Sequence, residues 1–294
     1  MEVLNVIHLN KQIHHHPILK DISFCVQDHE IVGFVGPNGA GKSTTMKCIA
    51  GLYHPTSGEI IVNGHSMTKE RNAALDSLGV SIEYPSLYPD LTGREHLKLV
   101  ARWRKAGKER VSEMASFSGL GPHLDRKVKH YSMGMKQRLV LALAMLPKPE
   151  VLILDEPMNG LDPQAVFELR EKLFAIRDQG TSIFLSSHQL SEVEQLADRI
   201  LFIQEGTILT EKTMEELRAQ GKQFRFHVSD LEKARRLLPS ALVENGRLSL
   251  WVEPGKAFAD RIETLVQNGV RVYEIEESGN DLENVYRQLY EVKR

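Results

Sequence analysis

Residues 36 to 44 read Gly-Pro-Asn-Gly-Ala-Gly-Lys-Ser-Thr, directly after the apolar run Ile31-Val32-Gly33-Phe34-Val35. The apolar run predicts a short strand buried on both faces. Gly36, Gly39 and Gly41 allow the backbone to curl so that successive N–H groups point inward. Ser43 to Leu52 continues as a helix, and its start near Lys42 adds the positive end of the helix dipole. A strand, a glycine-rich curl and a helix start, in that order, make a cradle for phosphate groups. Gly36, Pro37, Asn38, Gly39, Ala40, Gly41, Lys42, Ser43 and Thr44 therefore form the candidate nucleotide-binding segment. Lys42 is placed to reach the β- and γ-phosphates, and the Ser43 hydroxyl to bind Mg²⁺.

A second apolar run, Val151-Leu152-Ile153-Leu154, ends in Asp155-Glu156-Pro157. Asp155 closes a buried strand and is a candidate Mg²⁺ ligand, directly or through water. Glu156 is the candidate general base for an attacking water, with a salt-bridged strand-end acid as the alternative. Between the two motifs stands Tyr131-Ser132-Met133-Gly134-Met135-Lys136-Gln137-Arg138, just before a helix over 135–146. A hydroxyl, a glycine N–H and a helix start suit a phosphate. Ser132 as an ordinary helix N-cap fits equally well from these residues alone.

The rest of the pattern predicts an α/β chain. Residues 3–9 and 18–26 alternate like strands, and 58–64 reads as a strand ending in a turn. Helical patterns fill 92–146, broken at Gly107, Gly119 to Pro122 and Pro147. Strands return at 151–154 and 181–186 with a helix over 163–179, which argues for a mostly parallel sheet with a helical insert. The character changes near residue 215, where short strands (224–228, 248–252) mix with helices (230–238, 256–267, 281–292). The expected organisation is a main domain over 1–215, with a helical subdomain over about 84–148, and a small α/β domain over 216–294.

Composition narrows the partners. A formal net charge of −2 gives no basic field for nucleic acid. Met1 to Asn5 lacks the basic region and apolar core of a secretory signal. The longest apolar run, Leu139 to Leu146, is too short to span a bilayer, so membrane work requires another chain. Cys25 and Cys48 read as reduced thiols. His14-His15-His16 is a local bias without the spacing of a metal site.

The order GPNGAGKST, YSMGMKQR, VLILDEP, Asn159-Gly160-Leu161-Asp162 and Ser186-Ser187-His188 resembles the ATP-binding subunit of an ABC transporter, over residues 3 to about 215. The resemblance implies the α/β fold of P-loop nucleoside triphosphatases: a RecA-like parallel sheet core, N-terminal antiparallel strands and a helical subdomain. It implies ATP and Mg²⁺ as ligands and a head-to-tail dimer, homo- or heteromeric, with two ATP molecules between the copies. Ser132 and Gly134 then touch the γ-phosphate held by the other copy's Lys42. Residues 159–162 match the dimer-crossing loop, and His188 matches the histidine that senses the γ-phosphate. Catalysis falls to Glu156, His188 and Lys42.

Three positions depart from the family's pattern. Glu83, in Ser81-Ile82-Glu83-Tyr84-Pro85, stands where a glutamine usually binds Mg²⁺. A carboxylate can coordinate a hard cation, giving a metal set of Ser43, Asp155 and Glu83, or Glu83 is simply solvated. The signature is YSMGM rather than LSGGQ. The aromatic that usually stacks on adenine falls near Ile13, with His14, His15 or His16 as possible substitutes. Residues 82–95 and the Gly-Met-Lys-Gln-Arg signature are most similar to the bacitracin-resistance, lantibiotic-immunity and drug-export branch. This predicts a cytoplasmic-face ATPase serving a separate polytopic membrane subunit of an exporter. Tyr84, Tyr88 and Leu91 are candidate contacts to that subunit, or else subdomain core. The competing reading is a soluble ABC ATPase of translation or DNA repair. Such factors usually carry two fused domains or a long coiled coil, and neither is legible here.

Overall fold

The computed structural model describes residues 1–83, 86–219, 222–244, 246–252, 256–277 and 281–290. The chain divides into two compact units, Met1–Glu211 and Lys212–Arg294. Among the described residues, no helix is long and apolar enough to cross a membrane.

The first unit opens with β1 (Glu2–Ile13) and β2 (His16–Gln27), a long antiparallel pair. β3 (Ile31–Val35) leads into α1 (Lys42–Ile49). β4 (Ser57–Val62) and β5 (His65–Ser66) follow, then α2 (Arg71–Asp76) and β6 (Leu78–Ser81). A helical segment comes next: α3 (Gly93–Trp103), α4 (Lys108–Ser118), two 3₁₀ turns and α5 (Met133–Met145). The chain returns to the sheet with β7 (Val151–Asp155), α6 (Pro163–Asp178), β8 (Ser182–Ser187), α7 (Leu190–Leu196), β9 (Arg199–Gln204) and β10 (Thr207–Thr213).

Two sheets result. One has the order β2-β1-β4-β5 and is antiparallel. The other has the order β10-β9-β3-β8-β7-β6, with parallel pairing throughout from β9 to β6. Every residue of β3, β7 and β8 is buried, as strands covered on both faces require. Phe24 of β2 stacks on Phe184 of β8 at 4.9 Å, and Phe34 of β3 lies 5.2 Å from Phe184. These rings fill the space between the two sheets of this unit. β6, β9 and α7 were not read from the sequence. β6 is only four residues long and holds Gly79, so it carries little strand signal.

In the helical segment α3 starts with a capping box. Thr92 accepts from the Glu95 N–H, and Glu95 accepts back from the Thr92 N–H. α5 begins at Ser132, whose hydroxyl accepts from the Met135 N–H at 3.3 Å.

The second unit holds α8 (Met214–Ala219), β11 (Lys222–Val228), α9 (Leu231–Leu237), β12 (Leu242–Glu244), β13 (Arg247–Val252), α10 (Lys256–Gln267), β14 (Val272–Glu277) and α11 (Asp281–Tyr290). From β11 to β14 the order is βαββαβ, and the antiparallel sheet runs β12-β13-β11-β14. Its core joins Phe226, Leu248 and Leu250 of the sheet to Ala234 and Leu265 of the helices. β14 was not among the expected strands: three of its six residues are glutamates, which mask the alternation.

Phe184→Ala removes the ring shared by both sheets of the first unit. The expected loss is about 3–5 kcal/mol, read as an earlier denaturation midpoint by circular dichroism. A loss under about 1 kcal/mol would show that the void collapses.

Candidate functional site

The parallel sheet aligns its carboxyl ends. Val35 is paired with Ser187, Phe34 with Ser186, and Asp155 with Ser186, while Ser81 is paired with Leu154. The loops leaving β3, β6, β7 and β8 therefore open on one edge of the sheet, where open α/β sheets place their ligands.

After β3 the glycine loop runs against β9 and the start of β2. A Cβ on Gly36 would sit 2.2 Å from the Ile203 carbonyl oxygen, and one on Gly41 would sit 2.8 Å from a Leu19 methyl. Gly41 also takes φ +111°, a left-handed conformation that a side chain disfavours. The Gly206 N–H donates to the Ala40 carbonyl at 2.9 Å and ties the loop to the β9–β10 turn. Lys42 is buried, and its Nζ donates to the carbonyls of Gly36 (2.6 Å) and Pro37 (3.2 Å). Burial lowers the Lys42 pKa below the usual lysine value, while Glu156 and Asp155 pull it back up.

Asp155 is buried and accepts from Ser186 Oγ at 2.5 Å. The same Ser186 hydroxyl accepts from the Glu156 N–H at 3.0 Å. Ser186 thus fixes both acids from the neighbouring strand. Glu156 adopts φ +49°, rare for a side chain other than glycine or asparagine. This turns its carboxylate toward His188, whose Nδ1–H donates to Oε2 at 2.8 Å. Strain of this kind persists where surrounding bonds enforce it, and the Ser186 contact is such a bond.

Two adjoining clefts share Glu156 and Asn159. The first, about 480 Å³, is lined by Asn38, Gly39, Gly41, Lys42, Ser43, Thr44 and His188 together with Ile18. The second, about 420 Å³, is lined by Glu83, Ser86, Met133, Gln137 and Asp155. Lys42, Ser43, Glu156 and His188 thus face one space. Ile13 is not among its lining residues. It stands at the β1–β2 hairpin end, paired with His16, and Ile18 supplies the apolar wall instead.

Ser132 and Gly134 line neither cleft of their own chain. Ser132 caps α5, and Asp162 caps α6 by accepting from the Ala165 N–H at 2.9 Å. Glu83 borders the cleft of Asp155 and Glu156, but its carboxylate is ion-paired with Lys47 of α1. That pairing raises the Lys47 pKa. Tyr84 lies outside the described residues. Tyr88 is exposed and Leu91 half-buried.

Among the described residues no group of three or more His, Cys, Asp or Glu could enclose a metal. The oxygen donors bordering the two clefts include the Ser43 hydroxyl and the carboxylates of Asp155, Glu83 and Glu156. Such a sparse, all-oxygen set fits Mg²⁺, which takes one or two protein carboxylates and completes its shell with phosphate and water.

Sequence reasoning gave no role to Ser186, Lys47 or Ile18. The signal for Ser186 is a polar residue ending an otherwise apolar buried strand. For Lys47 it is the four-residue spacing from Ser43 on one helix.

The family model described as ABC transporter matches residues 19–159. The ABC transporter ATP-binding protein YhcH of Bacillus subtilis (strain 168) is 35% identical, over 98% of this chain and 95% of that protein. The bacitracin transport ATP-binding protein BcrA of Enterococcus faecalis is 34% identical over 98% of this chain and 96% of its own length. A solved ATP-binding subunit of an ABC transporter superposes with a TM-score of 0.67 at 28% identity, covering 90% of this chain and 99% of that one.

Ser186→Ala strands the Glu156 N–H and removes a donor from buried Asp155. The expected cost is about 1–3 kcal/mol, measured by thermal denaturation, with nucleotide hydrolysis falling in parallel. An unchanged melting temperature with unchanged hydrolysis would remove Ser186 from the site.

Proposed function

The chain belongs to the ABC transporter family, and from that premise we propose that it is the ATP-hydrolysing motor of a bacterial exporter. The cargo class is an antibiotic, peptide or other hydrophobic compound, in line with the near full-length similarity to BcrA. A separate polytopic subunit holds it at the cytoplasmic face of the membrane. The similarity to transport ATP-binding proteins over nearly the whole chain speaks against the translation or repair alternative.

One observation carries the reading: Lys42, Ser43, Glu156 and His188 line a single cleft, with Glu156 held by His188. The inward N–H groups of the loop bind the triphosphate. Lys42 exchanges the carbonyls of Gly36 and Pro37 for the β- and γ-phosphates. Ser43, Asp155 and Glu83 would hold Mg²⁺, whose positive charge would offset the negative charge of the phosphates. Glu156 takes the proton of the attacking water, and His188 orients the Glu156 carboxylate. Ser132 and Gly134 line neither cleft of their own chain, which leaves them for the nucleotide of a second copy, homo- or heteromeric. ATP then closes the pair, and loss of the γ-phosphate contacts reopens it.

The membrane subunit docks at a groove of about 390 Å³ between β6, α3 and α5, walled by Val80, Ile82, Leu87, Val100, Trp103 and Leu143. Trp103 is 66% exposed, so this apolar side chain is free to be covered. Tyr88, exposed, and Leu91, half-buried, are further candidate contacts outside the lining of that groove.

Glu156→Gln is expected to bind ATP while hydrolysis drops by about 10²–10⁴-fold, and to accumulate as a dimer in MgATP by size-exclusion chromatography. Turnover at the parent rate would exclude Glu156 as the base. In detergent extracts a polytopic protein should copurify with the chain, and Trp103→Ala with Leu91→Ala should weaken that association while ATP binding persists. Undiminished copurification would move the docking face elsewhere.

A further inference from the structure

Lys47 follows Ser43 by four residues on α1, so both side chains lie on one face of that helix. Its ammonium ion-pairs with the Glu83 carboxylate. The two ends of the pair differ in anchorage: Lys47 is 20% exposed and Glu83 is 62% exposed. Lys47 also lies over the Tyr53 ring, 5.4 Å from its centroid, which gives it a second contact besides Glu83. Glu83 has φ +62° and begins the segment that leads away from β6. Glu83 and Ser86 line both the cleft of Asp155 and Glu156 and the separate groove walled by Trp103. Glu83 and Ser86 therefore stand at a shared wall between the nucleotide side and the groove.

Charge explains the pairing. Glu83, Asp155 and Glu156 border one cleft, and three carboxylates there repel one another. Lys47 neutralises the most exposed of the three. A dication bound beside Ser43 and Asp155 attracts the same carboxylate with twice the charge.

We propose that Lys47 is a positioning residue that competes with the nucleotide-bound divalent cation for Glu83. Without nucleotide, Lys47 latches the Glu83 carboxylate to α1. With the metal present, Glu83 leaves Lys47. This rests on the reading above that Glu83 is a metal ligand.

The test uses the full chain carrying Glu156→Gln, so that no turnover interferes. An N-methylanthraniloyl-ATP probe is titrated with Mg²⁺, and its fluorescence gives the half-saturating metal concentration. Lys47→Met should lower that concentration by about two- to five-fold, the worth of a largely exposed ion pair. Lys47→Arg should stay near the parent value and serves as the folded control. Glu83→Met, which removes the oxygen donor, should raise the metal requirement, and Lys47→Met added to it should change little further. The proposal is overturned if Lys47→Met leaves the metal requirement unchanged or raises it. It is also overturned if Lys47→Met acts equally with and without Glu83→Met, which would make Lys47 a general electrostatic term. If Glu83→Met alone has no effect, the latch fails while probe binding keeps the nucleotide site intact. Failure of the probe to bind at all would sink both readings.

Discussion

Strand register is the constraint on which the site depends. β3, β7 and β8 are parallel, apolar and buried on both faces, and their carboxyl ends are held level by the backbone ladder. That levelling brings the glycine loop after Val35, the acids Asp155 and Glu156, and the Ser186-Ser187-His188 segment to one edge. A shift of one residue in β7 or β8 would turn Asp155 or Ser186 to the opposite face, because side chains alternate along a strand. The aromatic contacts of Phe24, Phe34 and Phe184 support this register from within the first unit.

On that frame, polar bonds make finer adjustments. Ser186 ties Asp155 to the backbone of Glu156 across two strands, and Glu156 accepts a left-handed φ so that its carboxylate meets His188. Lys42 rests on the loop's own carbonyls within the same space. Burial lowers the Lys42 pKa, and the neighbouring carboxylates of Glu156 and Asp155 offset part of that effect. Glu83 answers to a different partner, Lys47, and so belongs as much to the border with the α3–α5 groove as to the metal side.

The second unit follows its own logic. Its βαββαβ order builds one apolar sheet face under α9 and α10, with Phe226 at the centre. The opposite row of the sheet carries Arg247 ion-paired with Glu274 and Glu276, as a solvated face would. An antiparallel sheet covered on one side needs no continuous apolar strands, and β14 is accordingly rich in glutamate.

Read by itself, the sequence determined the elements whose chemistry is local. The glycine loop, the strand ending in Asp155-Glu156 and the cap at Ser132 are legible because each motif carries its own backbone requirement or short-range hydrogen bond. The parallel α/β class was legible as well, from apolar runs alternating with helical periods. What depends on which residues meet across the fold was not legible. Ile18 lines the cleft, while Ile13 stands at the end of the β1–β2 hairpin, paired with His16. Ser186 gained its place from strand pairing with Asp155, and Glu83 its partner from the approach of α1 to the end of β6. Such contacts join residues distant in the chain, and only the packing of the sheet and its helices sets the distances between them.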